Sequence, residues 1–370
     1  MDNWLWHTER IPGAVTAWLT GLLGSADAAE AVKIAVVAAA LTGFVSIVAL
    51  VLVWVERKVA AHVQQRLGPM RVGYHGMLQT LADGLKLMTK EAITPRDADR
   101  FVYHLAPMLC FAATFIALAF IPFSPGIQAV NFNVGLVFVL GIASVGVLGI
   151  LAAGWSSNNK WSLLGAMRAG AQIISYELSA TLALLAIVVF AGSLDFRGIV
   201  ESQAGGWWIW RAPVVGLLAF VIYTIASTAE TNRTPFDLVE GESELTAGFH
   251  TEYTGMRFAL FFLAEFVNMF VVCAVSATVF FGGWMPFHVQ GLDAMNRVFD
   301  LLPPWGWFFG KTSALIFLMM WVRWTFPRLR IDQLMRFEWK FLLPVSLAVF
   351  SIASVLVTAG WYLFPVAGGR

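Results

Sequence analysis

The sequence has 370 residues, 24 basic and 23 acidic side chains, a net charge of +1, and a mean hydropathy of +0.73. Only 13% of residues are charged against about 25% in soluble domains, which excludes a water-soluble globular protein and points to a polytopic membrane protein. The near-zero net charge argues against nucleic acid as a partner. The two cysteines, Cys110 and Cys273, lie far apart in apolar runs, which excludes a disulfide framework and a cysteine-held iron–sulfur cluster.

Residues 1–30 mix Trp4, Trp6 and Trp18 with acids, a histidine and a proline. That composition suits an interfacial segment better than a cleavable signal peptide. A helix needs about 20 apolar residues to cross a bilayer. Eight runs qualify: 31–55, 103–122, 134–155, 162–191, 212–229, 257–283, 305–326 and 341–363. The expected fold is all-α, with about eight transmembrane helices, interfacial amphipathic helices and residues 1–370 as one membrane domain. The connections after odd-numbered spans, with Arg168, Arg257 and Arg323 just inside the adjoining spans, hold 17 of the 24 basic residues. The positive-inside rule then puts those connections in the cytoplasm and both termini on the outer, periplasmic side.

The first connection, 56–100, opens with Glu56 and Arg57 and turns at Gly68-Pro69 and Gly73 to Gly76. After the turns, Met77, Leu78, Leu81, Leu85 and Met88 recur at helical spacing, with Gln79, Asp83, Lys86 and Lys90 elsewhere and Glu91 just beyond. Such a helix lies along a membrane surface. It either anchors to lipid or a neighbouring subunit, or walls a pocket for a ligand that enters from the bilayer.

Two spans carry acids, Glu177 in the fourth and Glu265 in the sixth, with Asn268 and Ser276 roughly on the face of Glu265. A charge at mid-membrane costs about 2.5–3.5 kcal/mol or more, so it has a partner or a function. In the fourth span Arg168, Gln172, Ser175 and Ser179 share one face and Glu177 points opposite, so that helix is expected to be buried on all sides.

Six of the 23 acids fall in one stretch, Glu230 to Tyr253: Glu230, Asp237, Glu240, Glu242, Glu244 and Glu252. This acidic cytoplasmic connection, 230–256, is either a solvated loop or a cluster whose protons are held jointly. Carboxylates about 6 Å apart at an effective dielectric near 20 repel by roughly 2–3 kcal/mol, so such a cluster is not fully ionised. The last connection, within 321–344, is basic and aromatic, and is either a membrane anchor or puts Arg323, Arg328 or Arg330 at a cavity mouth or against the acidic loop. Of six scattered histidines only His104 lies in a span, which argues against membrane haem. There is no phosphate-binding loop and no dinucleotide fingerprint. The chain is expected to carry no redox centre of its own.

The stretches ERKVAAHVQQRLGPMRVG, LADGLKLMTKE, SYELS, ETNRTPFDLVEGESELTAGFHTEYTGMRFALFFLAE and WVRWTFPRLRIDQLMRFEWKFLLP resemble the H subunit of proton-pumping NADH:quinone oxidoreductase, respiratory complex I, in order over roughly residues 50–345. The resemblance implies a quinone chamber, for ubiquinone or menaquinone, built with peripheral-arm subunits and beside other membrane-arm subunits. FMN and iron–sulfur clusters would sit in partner subunits. It places Glu56, Arg57, Asp83, Lys86, Lys90, Glu91, Asp237, Arg323 and Arg328 around the chamber or its mouth. It places Glu177, Glu230, Glu240, Glu242, Glu244 and Glu265 on a carboxylate path that couples quinone reduction to proton movement. The composition leans towards a bacterial inner membrane rather than a mitochondrial one. Met70 stands where the family usually has Asn, and the turn Gly73-Tyr74-His75-Gly76 and the pair Gln79-Thr80 also depart from its pattern. A membrane subunit of an energy-converting hydrogenase and a proton-coupled secondary transporter are the competing readings. A transporter often shows two repeat-related interrupted spans, and none is evident here.

Overall fold

The computed structural model describes residues 8–23, 25–238, 247–288 and 293–360. Among them the regular elements are helices, with one isolated β-bridge, Ser124 to Ile127. Helix α1 (Ile11–Leu23) packs on α2 (Ala26–Val63). The short α3 (Gln79–Thr89) follows, then α4 (Arg100–Ala119), α5 (Gly135–Ser156) and α6 (Lys160–Ala191). Two short helices, α7 (Phe196–Glu201) and α8 (Trp208–Arg211), lead into α9 (Pro213–Glu230). The chain continues with α10 (Gly255–Phe281), α11 (Asp293–Phe299), α12 (Pro304–Thr325), α13 (Ile331–Phe337) and α14 (Leu343–Thr358). Over its described residues, every one of the eight apolar runs coincides with a helix; 361–363 of the last run lie outside them. Six of these helices are long and apolar enough to cross a membrane; α9 is shorter, and α12, which carries Lys311 and Arg323, falls outside that set.

Most of the apolar faces meet in one large core, and Tyr103, Cys110, Ala166 and Phe261 belong to a second, smaller cluster. Val45 and Leu52 of α2, Leu136 of α5, Leu184 of α6, Tyr223 of α9, Phe270 of α10, Phe308 of α12 and Val349 of α14 are all buried in the large core. Small residues let helices approach closely, as membrane bundles require. At Gly149 of α5 an added Cβ would lie 2.5 Å from the Cys110 sulfur and 3.0 Å from the Ala106 carbonyl of α4. At Gly165 of α6 it would lie 2.9 Å from the backbone of Gly248.

Helix α2 is longer than its apolar run. Its 38 residues span about 57 Å at 1.5 Å per residue, well beyond a bilayer core, so Glu56 and Arg57 lie inside the helix rather than in a loop. The last helix is unbroken but locally widened. Pro344 has no N–H to offer the carbonyl four residues back, and Leu343 donates to the Glu338 carbonyl instead, giving a π segment over Glu338–Leu342.

Helix α6 corrects one expectation. Its two polar faces are both covered, one by α5 and one by the chain after α9 and by α13, but Met167, Ile174 and Leu178 are exposed. Two buried polar faces leave a third stripe, and that stripe is apolar. Helix α3 shows a similar arrangement. Its polar side faces α2, and Leu81, Leu85 and Met88 are exposed, as an anchoring face requires.

Candidate functional site

The site begins where α9 ends. The amides of Thr231, Asn232 and Arg233 donate back to the carbonyls of Ser227, Ala229 and Thr228 at 3.0, 3.1 and 3.2 Å. Asn232 takes a left-handed φ of 50°, which asparagine tolerates better than most residues. Gln172 of α6 pins this turn by donating to the carbonyls of Ala229 and Phe236 at 2.7 and 2.8 Å. The chain reverses, and Arg233 is driven inward until only 3% of it is exposed.

Arg233 is the hub of a buried charge network. Its Nη1 donates to both carboxylate oxygens of Glu56, at 2.9 and 3.0 Å. Its Nη2 stands 2.9 Å from Oε1 of Glu265. Arg323, in the last turn of α12, also donates to Glu56. The Phe266 ring covers the Arg233 guanidinium at 4.6 Å. Two carboxylates therefore face two guanidinium groups from four separate elements. Such charges are costly to bury singly and become tolerable only when paired and hydrogen-bonded.

Two cavities meet at this network. The larger, about 440 Å³, is lined by Glu56, Arg57, Arg66, Arg233, Arg323 and Trp324, among others. The second, about 260 Å³ and largely apolar, runs between α4, α5 and α10, with Tyr223, Glu230 and Asn268 in its wall. Glu265 and Phe262 line both. One carboxylate thus borders a charged chamber on one side and an apolar cavity carrying Glu230 on the other.

The remaining expected residues divide into groups. Arg57 donates to Asp83 of α3 at 2.5 Å, and Gln79 donates to the other Asp83 oxygen at 3.1 Å. Burial works against the Asp83 charge, but the hydrogen bonds from Arg57 and Gln79 outweigh it and hold the carboxyl below its ordinary value. Asp237 is buried and pairs with Arg328, which is about half exposed, at 2.9 Å. Glu177 accepts from Ser144 of α5, and Glu177 and Glu230 are close enough to interact electrostatically. Lys86, Lys90 and Glu91 are exposed and line neither cavity. Glu240, Glu242 and Glu244 lie outside the described residues. The last acid of the loop, Glu252, clamps structure: its carboxylate accepts from Asn159 and its carbonyl from the Tyr103 hydroxyl. Burial pushes the nearby His250 imidazole down to about 4, against the opposing pull of Asp237. Among the described residues no group of three or more His, Cys, Asp or Glu could hold a metal ion.

Sequence reasoning missed Arg233, Arg66, Trp324 and Ser144. No local signal marked Arg233, because its partners Glu56 and Glu265 lie on helices distant in sequence.

Comparison with known proteins gives this geometry its context. The family pattern described as NADH dehydrogenase matches residues 35–354. A protein of Bacteroides thetaiotaomicron, named as the H subunit of NADH-quinone oxidoreductase, is 53% identical over 317 residues, 86% of this chain and 88% of the relative. Its counterpart in Bacteroides fragilis is 51% identical over 349 residues, 94% of this chain and 98% of the relative. The chain belongs to the family of NADH-quinone oxidoreductase H subunits. The same name is carried by a Chlorobium luteolum protein, 47% identical over 362 residues, which span 95% of each chain. Members of this family are membrane subunits of complex I, and the chain is a membrane-embedded contributor to that oxidoreductase.

Proposed function

We propose that the 440 Å³ cavity is part of the chamber in which a quinone is reduced, and that Glu56, Arg233 and Glu265 start the carboxylate path that moves protons in response. The observation that supports this most strongly is the position of Glu265, which borders both cavities and shares Arg233 with Glu56.

Quinone reduction takes two electrons and two protons. Negative charge arriving in the chamber acts first on the guanidinium groups that line it. An anion that draws Arg233 or Arg323 towards itself weakens their hold on Glu56 and Glu265. A carboxylate that loses its cation in a poorly solvated site gains proton affinity. Glu265 then takes a proton, and the groups across the second cavity, Glu230 and beyond it Glu177, respond as a coupled set. Arg57, held by Asp83, forms the wall nearest α3. Asp237 and Arg328 brace the approach to the loop that carries Glu240, Glu242 and Glu244, which belong to the same coupled set. Lys86, Lys90 and Glu91 stand where a peripheral-arm subunit covers α3.

The wider reading follows the family. The chain crosses the bacterial inner membrane eight times with both ends on the periplasmic side. It meets other membrane-arm subunits and the peripheral-arm subunits that hold FMN and iron–sulfur clusters. The test is purification of the complex through a tag on this chain, followed by an assay of NADH:quinone reductase activity and proton uptake. Activity that a quinone-site inhibitor abolishes, and that Glu56→Gln lowers, supports the chamber. Inhibitor-insensitive activity in a complex containing this chain overturns it.

A further inference from the structure

A second serine–glutamate pair lies on the side of α6 away from Glu177. Glu338 opens the π segment of the last helix and is 1% exposed. Ser179 of α6 donates its hydroxyl to Oε1 of Glu338. The other oxygen, Oε2, is buried and has no hydrogen-bond partner among the described residues. No cation pairs with Glu338 among those residues. The titratable group facing it from α6 is Tyr176, whose own hydroxyl donates to the Leu334 carbonyl at 3.1 Å. Arg336 and Lys340, on its own helix, are exposed.

An ionised carboxylate in such a place would lack compensation, and a neutral one leaves a buried oxygen unused. A leucine or methionine would fill the site at lower cost. The residue is therefore poorly explained as packing. It is also mechanically connected to the proposed coupling site. Tyr176 packs against Phe236 at 5.4 Å, and the Leu329 amide donates to the Pro235 carbonyl at 3.0 Å. Movement of the chain around Arg233 thus bears on the last helix just before its π segment, a feature that often marks functional positions.

We propose that Glu338 is a further proton-carrying residue, a buried carboxyl that holds a proton at rest and exchanges it with water during turnover. This rests on the proposed coupling of quinone reduction to proton movement. In the release step the Glu338 O–H bond breaks, the proton passes to a water at Oε2, and the carboxylate remains held by the Ser179 hydroxyl. Uptake reverses the step, and no electron moves.

The test uses the whole complex. The infrared difference spectrum between the oxidised and NADH-reduced states should contain a protonated-carboxyl band that Glu338→Gln removes, and proton yield per electron should fall in the same variant. Glu338→Gln keeps an acceptor for Ser179. A second variant, Glu338→Met, should raise the melting temperature while lowering proton yield, because it removes a buried polar group kept for exchange. Unchanged spectra and yield in Glu338→Gln, or a lower melting temperature with unchanged yield in Glu338→Met, overturn the inference. Glu265→Gln is measured in parallel. If it lowers yield and the Glu338 variants do not, only this inference fails; if none of them does, the coupling reading fails as well.

Discussion

Arg233 binds both oxygens of Glu56 across 177 residues of sequence, at 2.9 and 3.0 Å, with both side chains buried. This bond fastens the end of α2 to the turn after α9, and Arg233 extends it to Glu265 of α10. Glu56 and Arg233 line the larger cavity, and Glu265 lines both.

Removing the cation from this network should be more damaging than removing the pair. Arg233→Met leaves Glu56 with Arg323 alone and takes this cation from the half-buried Glu265, a loss of about 3–5 kcal/mol for a broken buried pair. Arg233→Met combined with Glu265→Met removes the second carboxylate as well, keeps the Glu56–Arg323 pair, and should recover part of the loss. Thermal unfolding of the detergent-solubilised complex checks this; a double variant no more stable than Arg233→Met contradicts it.

The Arg57–Asp83 contact is partly exposed and should contribute at most about 1 kcal/mol. Its effect is local: Asp83→Asn should speed hydrogen exchange in residues 79–89 and leave the rest of the bundle unchanged. Asp83 titrates lower when folded than its ordinary 3.8, so its contribution is fully present above that pH and fades as pH falls through the folded value. Exchange rates in this helix that are identical in wild type and variant would show that the pair does not dock it.

His250 is destabilised by acid in the same direction, over a higher pH window. Its folded value is about 4 against an ordinary 6.5, so the unfolded chain binds the extra proton first. Stability of the 247–253 turn should be constant above pH 6.5 and fall progressively towards pH 4, by up to on the order of 3 kcal/mol before discounting for partial exposure. Amide exchange at Phe249 to Tyr253 followed from pH 7 to 4.5 measures it, and His250→Gln should flatten the profile.

Gly165 allows α6 to press against the backbone of Gly248 and Phe249. Gly165→Ala would place a Cβ 2.9–3.0 Å from that backbone, which has no flexible side-chain end to yield. A cost of about 1–3 kcal/mol is expected, the range for overpacking. Proteolysis or exchange in 247–253 should rise first. A variant with wild-type melting and wild-type protection there contradicts the close approach.

The helices were legible in the sequence because apolar length is a local property, and all eight runs became helices. Glu177 and Glu265 were legible as partnered acids for the same reason: burial of a charge is visible in its neighbours. Arg233 was not, because its two partners lie on helices distant in sequence and its inward turn depends on Asn232 and on Gln172 from a third helix. Glu338 was hidden by its setting, since a basic and aromatic segment reads as an interfacial anchor. The widening that accompanies it comes from Pro344, six residues further on. Full burial of α6 was over-read: two polar faces need only two partners, and the third stripe stayed exposed.

Glu265 is proposed to pass the effect of quinone reduction from one cavity to the other. The most direct test is the proton-to-electron ratio of the complex carrying Glu265→Gln, reconstituted in liposomes and driven by NADH with added quinone. The expected result is a lower proton yield, with slower turnover as well if coupling is tight. Wild-type turnover together with a wild-type proton yield would contradict it.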